Sequence, residues 1–220
     1  MTPDYKTAAI KATETLIKYG ISSAPIDPLP ILKRMSGVIV VSFETFSKEN
    51  NTDRKCVMSM LGEKNQDAIT VVNIIDDKKQ YLIAYNQMLS LNLCYRALAR
   101  ELGHIVLGHD GTKPEDVRNE EAIAFAHHLL CPRPLIHAIQ STGLKLTTEL
   151  FGNITGCYDY CISCIRKQPA VEVPAELNQL VRDQFMPYVL NLFEYQRYAS
   201  RKDTSAIADL GAFMEGYKEG

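Results

Sequence analysis

Apolar residues recur at helical spacing in the first stretch of the chain. Ala8, Ala12, Leu16 and Tyr19 share one face of a helix predicted over residues 3–19. The proline-rich "SSAPIDPLP" that follows fixes the chain direction, and residues 31–35 read as a short helix. Then the period changes. "GVIVVSFETF" (37–46), "CVMSML" (56–61), "AITVVNII" (68–75) and "YLIAY" (81–85) are short apolar runs that predict strands. Asp76–Lys79 supplies the turn between the last two. The expected sheet is small and antiparallel in type.

From residue 90 onward the helical period takes over. Ser90 offers an N-cap for a helix from Leu91 to about Leu107, and Gly108 can end it. A polar loop at 112–117 leads to a second helix from about Asn119 to just before Cys131–Pro132. Further helices are expected at 133–142, 147–151, 156–167, 175–198 and 203–217. The class implied is α+β: a small antiparallel-type sheet packed on the helices at 91–107 and 119–130, with a mostly helical C-terminal region. "CPRP" (131–134) marks the expected division between a 1–135 domain and a 136–220 helical region.

Composition adds little bias. The 220 residues are 46% hydrophobic and 23% charged, with a net charge of -2 and a pI near 6.2. Nothing global points to nucleic acid or to an anionic membrane. The N-terminus is charged throughout and lacks the apolar core of a signal peptide, and no run reaches the ~18 apolar residues of a membrane span. The expected setting is cytoplasmic, with the six cysteines reduced.

The candidate chemistry sits on the first of the two site helices. "RALARELGHIVLGHDG" (96–111) approaches H-E-x-x-H, in which two histidines one helical turn apart chelate zinc and the glutamate acts as general base. His104 holds the second histidine position and Glu101 the general-base position. The second helix carries Glu121, which flanks the apolar stripe Ala122, Phe125 and Leu129 and can face His104. Arg100 stands at the first histidine position. Arginine is always protonated, with a pKa above ~12, and has no lone pair for a metal. Its guanidinium can reach the metal position itself and meet Glu121 or Glu101. No other residue is a natural replacement. His109 would have to fold back past Gly108, His127 points to another face, and His128 lies ~10 Å further along its helix at ~1.5 Å rise per residue.

"YLIAYN", then "RALARELGHIVLGHD", then "EEAIAFAHHLLCP" resembles the ImmA/IrrE metallopeptidase family in order, spacing and flanking residues. That family shows a strand ending in asparagine, then A-H-E-L-G-H-x-x-L-G-H, then E-A-N-x-F-A-x-x-L-L-M-P. The opening helix and "APIDPLPIL" look similar as well, so the resemblance spans residues 1 to about 135. It implies a gluzincin-like site, with His104 and Glu121 at metal positions and Glu101 at the catalytic one. Arg100 departs at the first ligand and Ile123 departs from the asparagine. Members of the family cut repressors or regulators with phage-type helix-turn-helix domains, and so switch on mobile elements or stress genes.

Other signals have plainer readings. Cys157, Cys161 and Cys164 share the C-x3-C-x2-C spacing of an iron–sulfur loop, but on a helix i, i+4, i+7 is a buried stripe. Of His127 and His128, one is expected solvated and one tucked against the sheet. The favoured function is a pseudopeptidase with a degenerate R-E-x-x-H site and no cofactor. It would bind a protein or peptide, with a helix-turn-helix repressor as the candidate, and neither nucleic acid nor membrane. The alternatives are an active zinc endopeptidase cleaving a phage-type repressor and a non-enzymatic interaction module.

Overall fold

A computed structural model describes residues 1–53, 55 and 67–199. Helix α1 (Tyr5–Tyr19) is capped by Asp4, whose carboxylate accepts from the Thr7 N–H at 2.9 Å, and it ends on left-handed Gly20. Its buried face is Ala8, Ala9, Ala12 and Leu16, small enough for another helix to lie close against it. Helix α2 (Pro28–Lys33) begins with Asp27 as N-cap and Pro28 in the first turn.

Strand β1 (Val38–Ser42) stops four residues before the expected end at 46. The Ser42 hydroxyl accepts from the Thr45 N–H at 3.0 Å and starts helix α3 (Phe43–Glu49), so "FETF" is helical despite its aromatic, strand-like composition. The strand expected at 56–61 and the helix at 203–217 lie outside the described residues. Strands β2 (Ala68–Ile75) and β3 (Lys78–Tyr85) form an antiparallel hairpin. Its two central residues, Asp76 and Asp77, both have positive φ, the conformation whose twist suits paired strands. The sheet order is β1-β3-β2, and β1 runs parallel to β3. The sheet is therefore mixed. A long connection separates β1 from the hairpin, and parallel pairing needs one.

Two helices carry the site: α4 (Leu91–Val106) and α5 (Glu115–Leu130). The second starts four residues earlier than the sequence pattern indicates. Pro114 precedes it, and Glu115 and Asp116 favour its first turn by facing the positive end of the helix dipole. Helix α4 packs on both hairpin strands, and α5 lies between α1 and α4. Helices α6 (Arg133–Ser141), α7 (Thr148–Thr155), α8 (Tyr158–Lys167) and α9 (Ala175–Ala199) complete the described chain. One apolar core joins Leu16, Leu98, Leu102, Phe125 and Leu129 to Leu135, Val181 and Phe185, and so runs on past residue 135. Among the described residues, no helix is long and apolar enough to cross a membrane.

The α4–α5 contact depends on Gly103. A methyl there would lie 3.1 Å from the Ala122 carbonyl oxygen and 3.1 Å from Phe125 Cδ1. The first of these is backbone and cannot swing away. Gly103→Ala should therefore push the site helices apart and cost about 1–3 kcal/mol despite its better helix propensity. Urea unfolding checks this; an unchanged or raised midpoint would show that the helices have slack.

Candidate functional site

The sheet and the two helices enclose a cleft of about 210 Å3, lined by Thr70, Val72, Arg100, Glu101, His104 and Arg118 among others. The helical turn puts Arg100 and His104 on one face of α4, with Glu101 beside them. Glu101 is 4% exposed, and both its oxygens are engaged. The Thr70 hydroxyl donates to Oε2 at 2.7 Å. Arg100 donates to Oε1 from Nη2 at 2.9 Å and from Nε at 3.2 Å, and Nη2 also reaches the Ala68 carbonyl at 3.4 Å. The guanidinium is three-quarters covered, so this ion pair feels little solvent screening.

Arg100 thus meets Glu101 and not Glu121, which is taken by other groups. Glu121 is 2% exposed and accepts from the Asp4 N–H at 2.9 Å, from Lys113 Nζ on both oxygens at 2.8 Å, and from His109 Nε2 at 3.0 Å. Burial pushes its pKa up, but the donors from Lys113, Asp4 and His109 together outweigh it and hold the carboxyl below its usual range. Lys113 was invisible in the spacing, because a loop residue's reach depends on where the loop folds.

His109 corrects the sequence reading. Gly108 adopts φ 67°, the His109 N–H returns to the His104 carbonyl at 3.0 Å, and the chain folds back after all. The His109 side chain is only 2% exposed, and its Nδ1 lies 2.8 Å from His104 Nδ1. A glycine immediately before a histidine, at a helix end, was the signal available. Burial drives the His104 pKa down to about 3, helped by His109, Arg100 and Arg118, and it also lowers that of His109 against the pull of Glu121. Both rings are then neutral, and one protonation pattern satisfies the chain. His109 donates from Nε2 to the carboxylate and accepts at Nδ1 from the Nδ1–H of His104. His104 reaches Glu121 only through His109, and the lone pair of its own Nε2 remains.

As arranged, these donors do not fit a zinc ion. Two nitrogens on one tetrahedral zinc, at 2.0–2.1 Å each, lie about 3.3 Å apart; the two Nδ1 atoms at 2.8 Å are hydrogen-bonded instead. His109 also turns opposite ring edges to His104 and Glu121, so no single point faces all three. Among the described residues, no group of three or more His, Cys, Asp or Glu side chains is placed to hold a metal.

The remaining candidates are structural. His127 and His128 are both buried, at 4% and 8% exposure, so neither is solvated as expected. Helix α5 is packed against α1 and α4 and touches α8, and although Glu115, Asp116 and Glu120 near its start are exposed, its second half from Ala124 to Leu130 is buried on every side. Cys157, Cys161 and Cys164 are buried together with Cys131. The Cys157 and Cys161 sulfurs lie 3.5 Å apart; the contact with Cys161 and burial raise the Cys157 pKa, while the contact with Cys131 and burial raise that of Cys161 against the lowering effect of Cys157. Burial pushes Cys164 up to about 11. Protonated thiols in a dry core suit packing, not cluster ligation.

A small sheet laid on two helices, with E-x-x-H on one and a glutamate on the other, is the layout of a zincin-type peptidase domain. Residues 57–155, somewhat under half of the 220-residue chain, match the family model described as the IrrE N-terminal-like domain, so that segment is similar to the ImmA/IrrE family. The segment holds β2, β3, α4, α5, α6 and α7, and with them every site residue named above except Asp4. No curated protein and no solved structure matches the chain.

Proposed function

We propose that this protein is a pseudopeptidase that binds a transcriptional regulator in the cytoplasm without cutting it. The observation that carries this reading is the Arg100 guanidinium seated on the Glu101 carboxylate. A general base must be free to take a proton from water. Here both carboxylate oxygens accept from fixed donors, one of them a permanent cation, and the first ligand position has no lone pair.

The groove that would hold a peptide keeps its means of doing so. Strand β2 pairs with β3 on one side, and among the described residues no strand covers its other side. Val71, Val72, Ile74 and Ile75 on it are between 46% and 67% exposed. An extended segment can add to such an edge through main-chain hydrogen bonds, with no metal involved. Since the family that the sequence resembles acts on phage-type repressors, the proposed partner is a helix-turn-helix repressor, with no nucleic acid or membrane contacted directly.

A second reading draws on one observation. His109 supplies a nitrogen donor beside His104 where Arg100 removed one, which favours a zinc endopeptidase cleaving the same class of repressor. Mixing the purified chain with a candidate repressor from its own cell, with and without zinc, separates the two readings. The pseudopeptidase leaves the repressor intact and binds it, and Val72→Lys on the strand edge weakens binding at least about tenfold, equivalent to about 1.4 kcal/mol. Zinc-dependent cleavage would replace this reading with the second; binding unaffected by Val72→Lys would remove the edge strand from it.

A further inference from the structure

A larger groove, of about 690 Å3, opens between α1, the start of α6 and the start of α9, and no residue of the candidate site lines it. Its size is that of a small-molecule site. Lys6, Arg133 and Arg182 line it, opposed by the single carboxylate of Glu172. These cations come from three separate elements of a chain whose net charge is -2, so folding has gathered them. Among the described residues none of the three is in an ion pair. Arg133 uses one amino group on the Val171 carbonyl at 3.4 Å and keeps its other donors.

Two further features point to an anion. Helix α6 begins after Pro132, and α9 begins after Pro174. Both prolines line the groove, so the positive ends of a nine-residue and a 25-residue helix open onto it. His128 lines it too. Its ring is nine-tenths buried and makes no hydrogen bond among the described residues; its recorded ring neighbour is His127, 5.0 Å between centroids. Its ring nitrogens are not sealed in the core as His127 Nδ1 is, so a polar ligand in the groove can meet them.

We propose that this groove is a binding site for a small organic phosphate, with Arg133, Arg182, Lys6 and His128 holding the phosphate oxygens. Guanidinium groups match phosphate geometry in a bidentate manner. The buried, neutral His128 contributes an N–H donor without requiring a charge, and His137 adds a second imidazole at the rim. This inference is independent of whether the chain cuts its partner, because the groove shares no residue with the cleft.

Calorimetric titration of the full chain with pyrophosphate, in chelator and at constant ionic strength, tests it. The expected result is saturable binding of one pyrophosphate per chain, weaker for citrate. Arg133→Gln and Arg182→Gln should each weaken it about tenfold. Both side chains are solvent-accessible, so neither variant threatens the fold. Arg118→Gln, in the other cleft, should leave affinity unchanged. No saturable binding overturns the proposal, as does loss in Arg118→Gln but not in the two groove variants. Citrate binding as tight as pyrophosphate overturns the phosphate assignment.

Discussion

Acidification from pH 7.5 to 5 will strip this protein of much of its stability, well above the range where carboxylates titrate. Burial lowers His104 and His128 to about 3 and His127 to about 4, and it lowers His109 as well. In the unfolded chain all four titrate near ~6.5. The folded values lie below the unfolded ones, so between these limits the unfolded state binds more protons and stability falls with pH. The contribution is fully present above the unfolded value and is lost progressively from about pH 6.5 downward. Each heavily buried ring costs on the order of 2 kcal/mol by pH 5, at about 1.4 kcal/mol per unit. Three such rings approach the whole ~5–15 kcal/mol of a typical domain. Urea midpoints measured at half-unit steps check this. His127→Leu should reduce the slope by one proton, and it also removes an Nδ1 that is buried without a partner. A midpoint unchanged between pH 7 and 5.5 would mean that the histidines are not buried as described.

The same histidines show where a sequence stops being informative. Helix α4 was legible because Ser90, an apolar period and Gly108 are all local signals. His104 beside Arg100 was legible because four residues make about one turn. His109 was not, since its place in the site depends on the left-handed turn at Gly108, and spacing rules count only residues within one helix. The pairing of Lys113 with Glu121 needs the loop 107–114 in three dimensions. Helix α5 misled for another reason. Its pattern holds polar residues on every side, so amphipathicity suggested one wet histidine, whereas its second half is buried on every side. At Ser42 a local cap overrode strand composition, which is why β1 ends early. The α+β class survived these errors because it rests on the change of period near residue 90, and no single residue decides that.

Arg100→His will change the metal content of the chain from well below one to about one zinc per chain, the occupancy of a complete ligand set. Three effects of the substitution act together. It removes a permanent positive charge from the mouth of the site, and it releases Glu101 from its ion pair. It also places a second imidazole one turn from His104, so that two nitrogen donors converge from α4. Glu121 must then give up His109, which stands between it and His104, and must choose between Lys113 and the ion. Lys113 is 39% exposed, so its pairing is partly screened, and a directly coordinated divalent cation outcompetes it. Lys113→Ala added to Arg100→His should tighten zinc further, while Lys113→Ala alone should leave zinc substoichiometric, because the arginine still fills the ligand position. Metal analysis after dialysis against buffered zinc, with chelator competition for affinity, reads all three variants. Stoichiometric zinc on His104 and Glu121 in the unmutated chain would show that Arg100 blocks nothing, and the pseudopeptidase reading would fall. A folded Arg100→His protein that still takes up no zinc would show that α4 and α5 no longer form a metal cradle, so that the loss lies in the placing of Glu121 and His109 as well as in the arginine.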